Sequence, residues 1–280
     1  MKLAASTLAL PPLQHGFLLP VLAQLGFSGI EVRPERCWDH SPTARDAVHY
    51  RHGAEEAGLA ILGLDMEDEI SLIDEDMQPS LVRLESLSLL CRDLGGRTIV
   101  LGGPRHLNGA SLVTAWNRCR LFLDALLPRI EAHGTVLCLK PLGSLRADFC
   151  GPARECRLLT DYVDHPSFGL MLSARSQVEL GDLGHASFSA VRGRLEVFHA
   201  DEPEDTPLGP DAIGDHEDFR RHLAAISHRG WIVLKQRQSP DVLGQLEASA
   251  SYFRTSYLRQ DNLSLIRRQS RIASNMGSLT

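Results

Sequence analysis

The sequence predicts a single-domain (β/α)8 barrel, the TIM barrel, and three observations predict it. Eight short, nearly continuous apolar runs alternate with amphipathic stretches across about 250 residues, the count and length of that fold. Glycines stand shortly before several of these runs, where a helix must end before the next strand begins. The rival, an open doubly wound sheet, carries a Gly-x-Gly-x-x-Gly turn after its first strand, and Ala-Leu-Pro-Pro-Leu-Gln-His-Gly at residues 9–16 has no such spacing.

The strand-like runs are residues 3–8, 29–33, 59–64, 97–101, 135–140, 168–173, 195–199 and 231–235. Because most are apolar throughout and do not alternate, they suit strands covered on both faces of a parallel sheet. Helical periodicity is clear between them. Leu81, Leu84, Leu87, Cys91 and Leu94 recur every three or four positions, as do Trp116, Cys119, Leu123, Leu126, Leu127 and Ile130. Gly26, Gly58, Gly95, Gly134 and Gly230 are the expected helix ends. No linker, repeat or low-complexity tract interrupts residues 1–258, so they form one domain. Residues 259–280 are polar and basic, and read as a frayed extension or as an arm against a partner subunit of a homo-oligomer.

Composition narrows the function classes. The 280 residues are 43% hydrophobic and 23% charged, which is ordinary for a globular chain. No apolar run approaches the roughly 18 residues that a membrane span requires, so no membrane partner is expected. The first residues, with one lysine and two early prolines, suit a strand better than a signal peptide. The 29 basic and 35 acidic residues give a formal charge of −6, without a basic stripe before the extension, which argues against a nucleic-acid partner. Six cysteines form no Cys-x-x-Cys pair, so buried reduced thiols of a cytoplasmic protein are expected.

A barrel of this kind places its chemistry at the C-terminal strand ends and the loops that follow. Glu31 and Arg33 stand at the second strand end, Asp65 at the third and Lys140 at the fifth, with Arg146 in the loop beyond. Ser173 ends the sixth, followed by Arg175; His199 ends the seventh and Lys235 the eighth. The segments LGFSGIEVRP, GLAILGLD, LKPLGSLRADF, HPSFGLML, GRLEVFHADEP and HRGWIVLK, in this order and spacing, resemble the xylose isomerase-like TIM barrels, which include sugar phosphate isomerases and epimerases. The resemblance runs to about residue 258. It implies a divalent-metal site built from Glu, Asp, His and Glu on strands five to eight. Those positions hold Lys140, Ser173, His199 and Lys235 here, and Ser176 stands where an Asp-x-x-His signature would end. Only His199 keeps the family's residue type.

Protonated lysine offers no lone pair, and at an effective dielectric near 20 a like charge about 4 Å from a divalent ion costs several kcal/mol. No metal and no cofactor are therefore expected. Two ammonium groups with His199 suggest a cationic pocket for a small oxygenated, anionic or sugar-like ligand. A fixed cation can hold an enolate oxygen in place of a metal, and imidazole can move the proton. Lys140, His199 and Lys235 are the candidate catalytic groups, with Glu31, Arg33, Asp65, Arg146, Ser173 and Arg175 around the ligand. The expected chemistry is that of an isomerase, epimerase or lyase.

Two alternatives stand beside it. One lysine, Lys140 by choice, could form a Schiff base with a carbonyl substrate. Or both lysines could merely replace the metal's charge by pairing with acids such as Glu31 and Asp65, leaving a pseudoenzyme or a ligand-binding regulator. His216, in Gly-Asp-His-Glu-Asp-Phe, is expected at the surface, and Cys37-Trp-Asp-His40 in a loop that lines the cleft through Trp38.

Overall fold

The computed structural model describes residues 1–13, 15–67, 70–181 and 184–258, and over them the barrel closes as expected. Its strands are β1 (Lys2–Ser6), β2 (Gly29–Val32), β3 (Ala60–Met66), β4 (Thr98–Leu101), β5 (Val136–Leu139), β6 (Phe168–Ser173), β7 (Leu195–Ala200) and β8 (Trp231–Leu234). Each pairs in parallel with the next, and β8 pairs with β1. Around them lie α1 (His15–Gln24), α2 (Pro34–Cys37), α3 (Ala44–Glu56), α4 (Gln78–Asp93), α5 (Leu112–Ala132), α6 (Ala153–Val163), α7 (Ala174–Leu180), α8 (His185–Ala190), α9 (His216–Ala225) and α10 (Val242–Leu258). The extension expected at 259–280 lies outside the described residues. No helix among the described residues is long and apolar enough to cross a membrane.

Successive side chains of a strand point to opposite faces, so the strands divide their apolar residues between two cores. Ile30, Leu64, Ile99, Leu137, Leu170, Phe198 and Ile232 face the helices in the large outer core. Ala4, Leu62, Val100, Val136, Cys138, Met171, Val197 and Val233 form a separate cluster inside the barrel. Two residues further along each strand lies the next inward rung. From Cys138 that step reaches Lys140, from Met171 Ser173, from Val197 His199 and from Val233 Lys235. The pleat alone therefore gathers these four polar side chains above an apolar floor.

Strand β3 needs an adjustment to join this rung. Its register against β2 shifts between Ile30 and Glu31, so that Glu31 pairs with Gly63. Gly63 touches β4 so closely that a Cβ there would lie 1.8 Å from the Thr98 carbonyl oxygen. A glycine is the residue that admits both the irregularity and the close approach.

Several boundaries differ from those expected, each with a local cause. Strand β1 stops at Ser6 because the Ser6 hydroxyl accepts the Leu8 N–H and starts a 3-10 turn. Gly26, Gly58, Gly95 and Gly134 have the positive φ expected after a helix, but Gly230 does not; after α9 that conformation falls on Ser227. Gly230 is required for space, since a Cβ would sit 2.8 Å from the Glu196 carbonyl oxygen. Trp38 packs against Tyr50 and lines a groove with Pro34, Val82 and Leu87, to which Lys140, His199 and Lys235 do not contribute. All six cysteines are free, five of them buried and Cys37 partly so.

Replacing Gly63 by alanine forces β3 from β4, and is expected to cost about 3 kcal/mol or more, the upper end of overpacking. Urea unfolding checks this against Gly16→Ala, where nothing lies near the added methyl and the helix should gain slightly. Equal stability of the two variants would contradict this account of β3.

Candidate functional site

The rung above the inner core is a lattice of ion pairs. Glu31, Asp65, Lys140, Ser173, His199, Asp201 and Lys235 are all fully buried, and Glu67 joins them from just beyond β3. The Lys235 ammonium lies 2.8 Å from Asp65 Oδ2 and donates to Glu67 Oε1 at 2.5 Å. Lys140 Nζ is 3.6 Å from the same Glu67 oxygen and 3.8 Å from Asp201 Oδ2, with no hydrogen-bond acceptor among the described residues. Its stem crosses bare backbone at Gly102, where a Cβ would approach Lys140 Cδ to 3.3 Å. Behind it, the buried Arg105 donates to the Lys140 carbonyl at 2.6 Å and steadies the strand end.

The other expected residues take different stations. His199 Nε2 meets the Glu31 carboxylate at 2.9 Å across the barrel. Ser173 caps α7 and donates to Asp201 at 2.7 Å, while the Arg175 backbone N–H donates to Asp201 Oδ1 at 2.9 Å. The Arg175 guanidinium bridges Glu67 and Asp205, both at 3.0 Å. Arg146 donates to the Gly102 carbonyl and lies 4.0 Å from Glu67 Oε2. Arg33 stands apart: its guanidinium pairs with Glu35 at the rim, although its charge reaches Asp65.

Burial and mutual charge set the protonation states. Burial raises the Asp65 carboxyl, but Lys235, His199 and Arg33 outweigh it and leave the group at about 2. The same contest leaves Glu67 and Asp201 below the usual carboxylate range, with Lys140 the leading cation in both cases. Lys235 is drawn down by burial yet held above its ordinary value by Asp65 and Glu67. Lys140 goes the other way: burial lowers it, and the charges of Lys235 and Arg175 lower it further. The two lysines thus differ in character. Its acids favour the ammonium form of Lys235, whereas burial and neighbouring cations disfavour that of Lys140, with Asp201 and Glu67 opposing them.

Sequence reasoning named nine residues for this region and missed Glu67, Asp201 and Asp205. The signal for two of them was available. The step of two that leads from Val197 to His199 leads on to Asp201, and from Asp65 it leads to Glu67. With these acids included, the cluster is close to charge-balanced, where the sequence suggested a net cationic pocket. His216 is also corrected from a surface position: it is buried, bonding Glu202 at 2.7 Å and the Tyr257 hydroxyl at 2.6 Å. That network ties the loop after β7 to α10.

A parallel eight-stranded barrel with its polar cluster at the C-terminal strand ends defines the class of protein. The profile of the family described as xylose isomerase-like TIM barrel matches residues 19–256, and the chain belongs to that family. Its fold is similar to D-psicose 3-epimerase from Clostridium cellulolyticum H10, solved with D-tagatose (TM-score 0.78, 15% identity, covering 92% of this chain and 99% of that one). It is similar also to an L-ribulose 3-epimerase (0.77, 15%, 98% of each chain) and to 3-keto-D-glucoside 4-epimerase from E. coli (0.74, 17%, 91% and 99%). At these identities the likeness is one of fold. No curated protein sequence matches the chain.

The family resemblance implies a divalent ion, and the donors can be tested against one. Glu31, Asp65 and His199 each offer an atom, all within 4.8 Å of one another. But the Lys235 ammonium already lies against Asp65, and Ser173 is engaged with Asp201. A firmly protonated amine beside the donors repels a divalent ion and supplies no lone pair. This set of residues does not fit the metal.

Replacing Lys235 by methionine leaves Asp65 buried without its main counter-ion, and is expected to cost about 3–5 kcal/mol at neutral pH. The sign of the pH dependence follows. Paired Asp65 has a depressed pKa, so its contribution is present above the ordinary carboxylate value and lost as pH falls toward about 2. Unpaired and buried, Asp65 takes up a proton more readily in the folded state, so the gap between variant and wild type narrows from about pH 7 to about pH 4. Urea titrations at several pH values measure it, and a gap independent of pH would contradict the pairing.

Proposed function

We propose that the protein is a metal-independent isomerase, epimerase or lyase acting on a small oxygenated, anionic or sugar-like metabolite. Lys140, His199 and Lys235 are its reacting groups. The observation that carries this is Lys140: a fully buried amine at a barrel strand end, without a hydrogen-bond acceptor among the described residues and with its proton affinity lowered. Such an amine, when neutral, accepts a proton from the carbon beside a substrate carbonyl and, as ammonium, returns it. The electron pair left by that proton passes to the carbonyl oxygen as an enolate, which the permanent charge of Lys235 faces. His199, oriented by Glu31, is the second proton-carrying group. The sugar epimerases of similar fold support the substrate class by analogy.

A structural role for the lattice is favoured by one specific observation: Lys140, His199 and Lys235 are each fully buried and lie within 4 Å of an acid. On that footing the ion pairs replace the family's metal only as a brace, and the barrel is a ligand-binding or regulatory protein.

Solvent exchange separates the two. A panel of ketoses, sugar phosphates and sugar acids is incubated with the protein in deuterium oxide, and deuterium entering the carbon beside the carbonyl is followed by NMR. The enzyme reading expects exchange of at least one compound, lost about 100-fold or more in Lys140→Met, within the range of a general base. Borohydride reduction of the same mixtures would fix an adduct on Lys140 only if the route is covalent. A folded wild-type protein that exchanges nothing across the panel would favour the brace.

A further inference from the structure

Four cations converge on the Glu67 carboxylate. Lys235 and Arg175 contact Oε1 at 2.5 and 3.0 Å, Lys140 stands 3.6 Å from it, and Arg146 stands 4.0 Å from Oε2. Three of the four also have other acids: Asp65 for Lys235, Asp201 for Lys140, and Asp205 and Glu179 for Arg175. Glu67 is the carboxylate that all four share. It differs from its neighbours Asp65 and Asp201 in lying past the end of β3 and in being 20% exposed where they are fully buried.

We propose that Glu67 occupies the subsite of the ligand's anionic group, and that a ligand enters by putting its own carboxylate in Glu67's place. This deepens the function proposed above and rests on the mouth of the barrel being a ligand site. The chemistry selects the ligand class. With Glu67 withdrawn, its four cations lose one negative charge, and one monoanion returns that charge where a phosphate dianion would add a second. Glu67 itself shows that a planar carboxylate suits the donors, with one oxygen shared by an ammonium and a guanidinium. The remaining buried groups on hand, His199 and Lys140, face the oxygenated carbons next to that head group. The ligand is therefore a short hydroxylated carboxylate, a sugar acid, and the free protein holds its own stand-in for it.

Acetate, the head group alone, is the probe. Glu67→Ala should bind acetate at least about tenfold more tightly than wild type, by titration calorimetry or ligand-observed NMR. Arg175→Ala added to Glu67→Ala should abolish the gain, and inorganic phosphate should bind no more tightly than acetate. Glu67→Gln, which keeps shape and discards charge, should fold and bind acetate more tightly than wild type. A folded Glu67→Ala without increased acetate affinity overturns the proposal, as does tighter binding of phosphate than of acetate. If neither Glu67 variant folds, Glu67 is a structural member of the lattice and the proposal also fails. Acetate affinity is read without turnover, so a protein that gains it yet exchanges no substrate proton keeps the subsite and loses the enzymatic reading.

Discussion

The contact between the Lys235 ammonium and the carboxylates of Asp65 and Glu67 is the interaction on which the mouth of this barrel depends. It joins β8 to β3 across the interior, where Lys235 and Asp65 are fully buried and Glu67 is mostly so. Buried ions of one sign are not tolerated without partners, and each acid here is matched by a cation from a different strand. A metal ion can satisfy several inward carboxylates at once; an ammonium carries one charge and three protons. Two lysines and Arg175 accordingly share the acids among them, and the Ser173 hydroxyl adds a neutral donor to Asp201.

The fold makes this substitution feasible without rebuilding the scaffold. The inner apolar floor of Leu62, Cys138, Met171, Val197 and Val233 supports the polar rung from below, and the outer core holds the strands in register. Both lysines are fully buried above that floor, the Lys140 stem crossing Gly102, while their ammonium ends reach the acids. On the proposed function the lattice is both a piece of the core and the source of the reacting groups. Lys140 shows the tension most clearly, since the burial that stabilises its surroundings also weakens its grip on a proton.

Much of this was legible in the residues. Apolar runs located all eight strands, and the pleat placed Lys140, His199 and Lys235 on one rung because each follows an inward apolar residue by two. What escaped detection lay where regular alternation breaks or continues unseen. Gly63 hides a register shift that only pairing with β2 reveals. Glu67 and Asp201 continue the inward series past the expected strand ends, so a boundary drawn two residues short leaves out half of the lattice's acids. His216 looked exposed because its segment is rich in acids, yet Glu202 and Tyr257, 14 and 41 residues away in sequence, bury it. Contacts of that separation leave no local pattern to read.

The central claim is that the Lys235 ammonium, not a metal, balances Asp65 of β3 and Glu67 just beyond it. A crystal structure determined from crystals grown with excess manganese, with anomalous difference density at the strand ends, tests it most directly. The account predicts no anomalous peak within ligand distance of Glu31, Asp65 and His199, with the Lys235 nitrogen in contact with Asp65. A manganese ion bound by those three side chains, with Lys235 displaced, would contradict it.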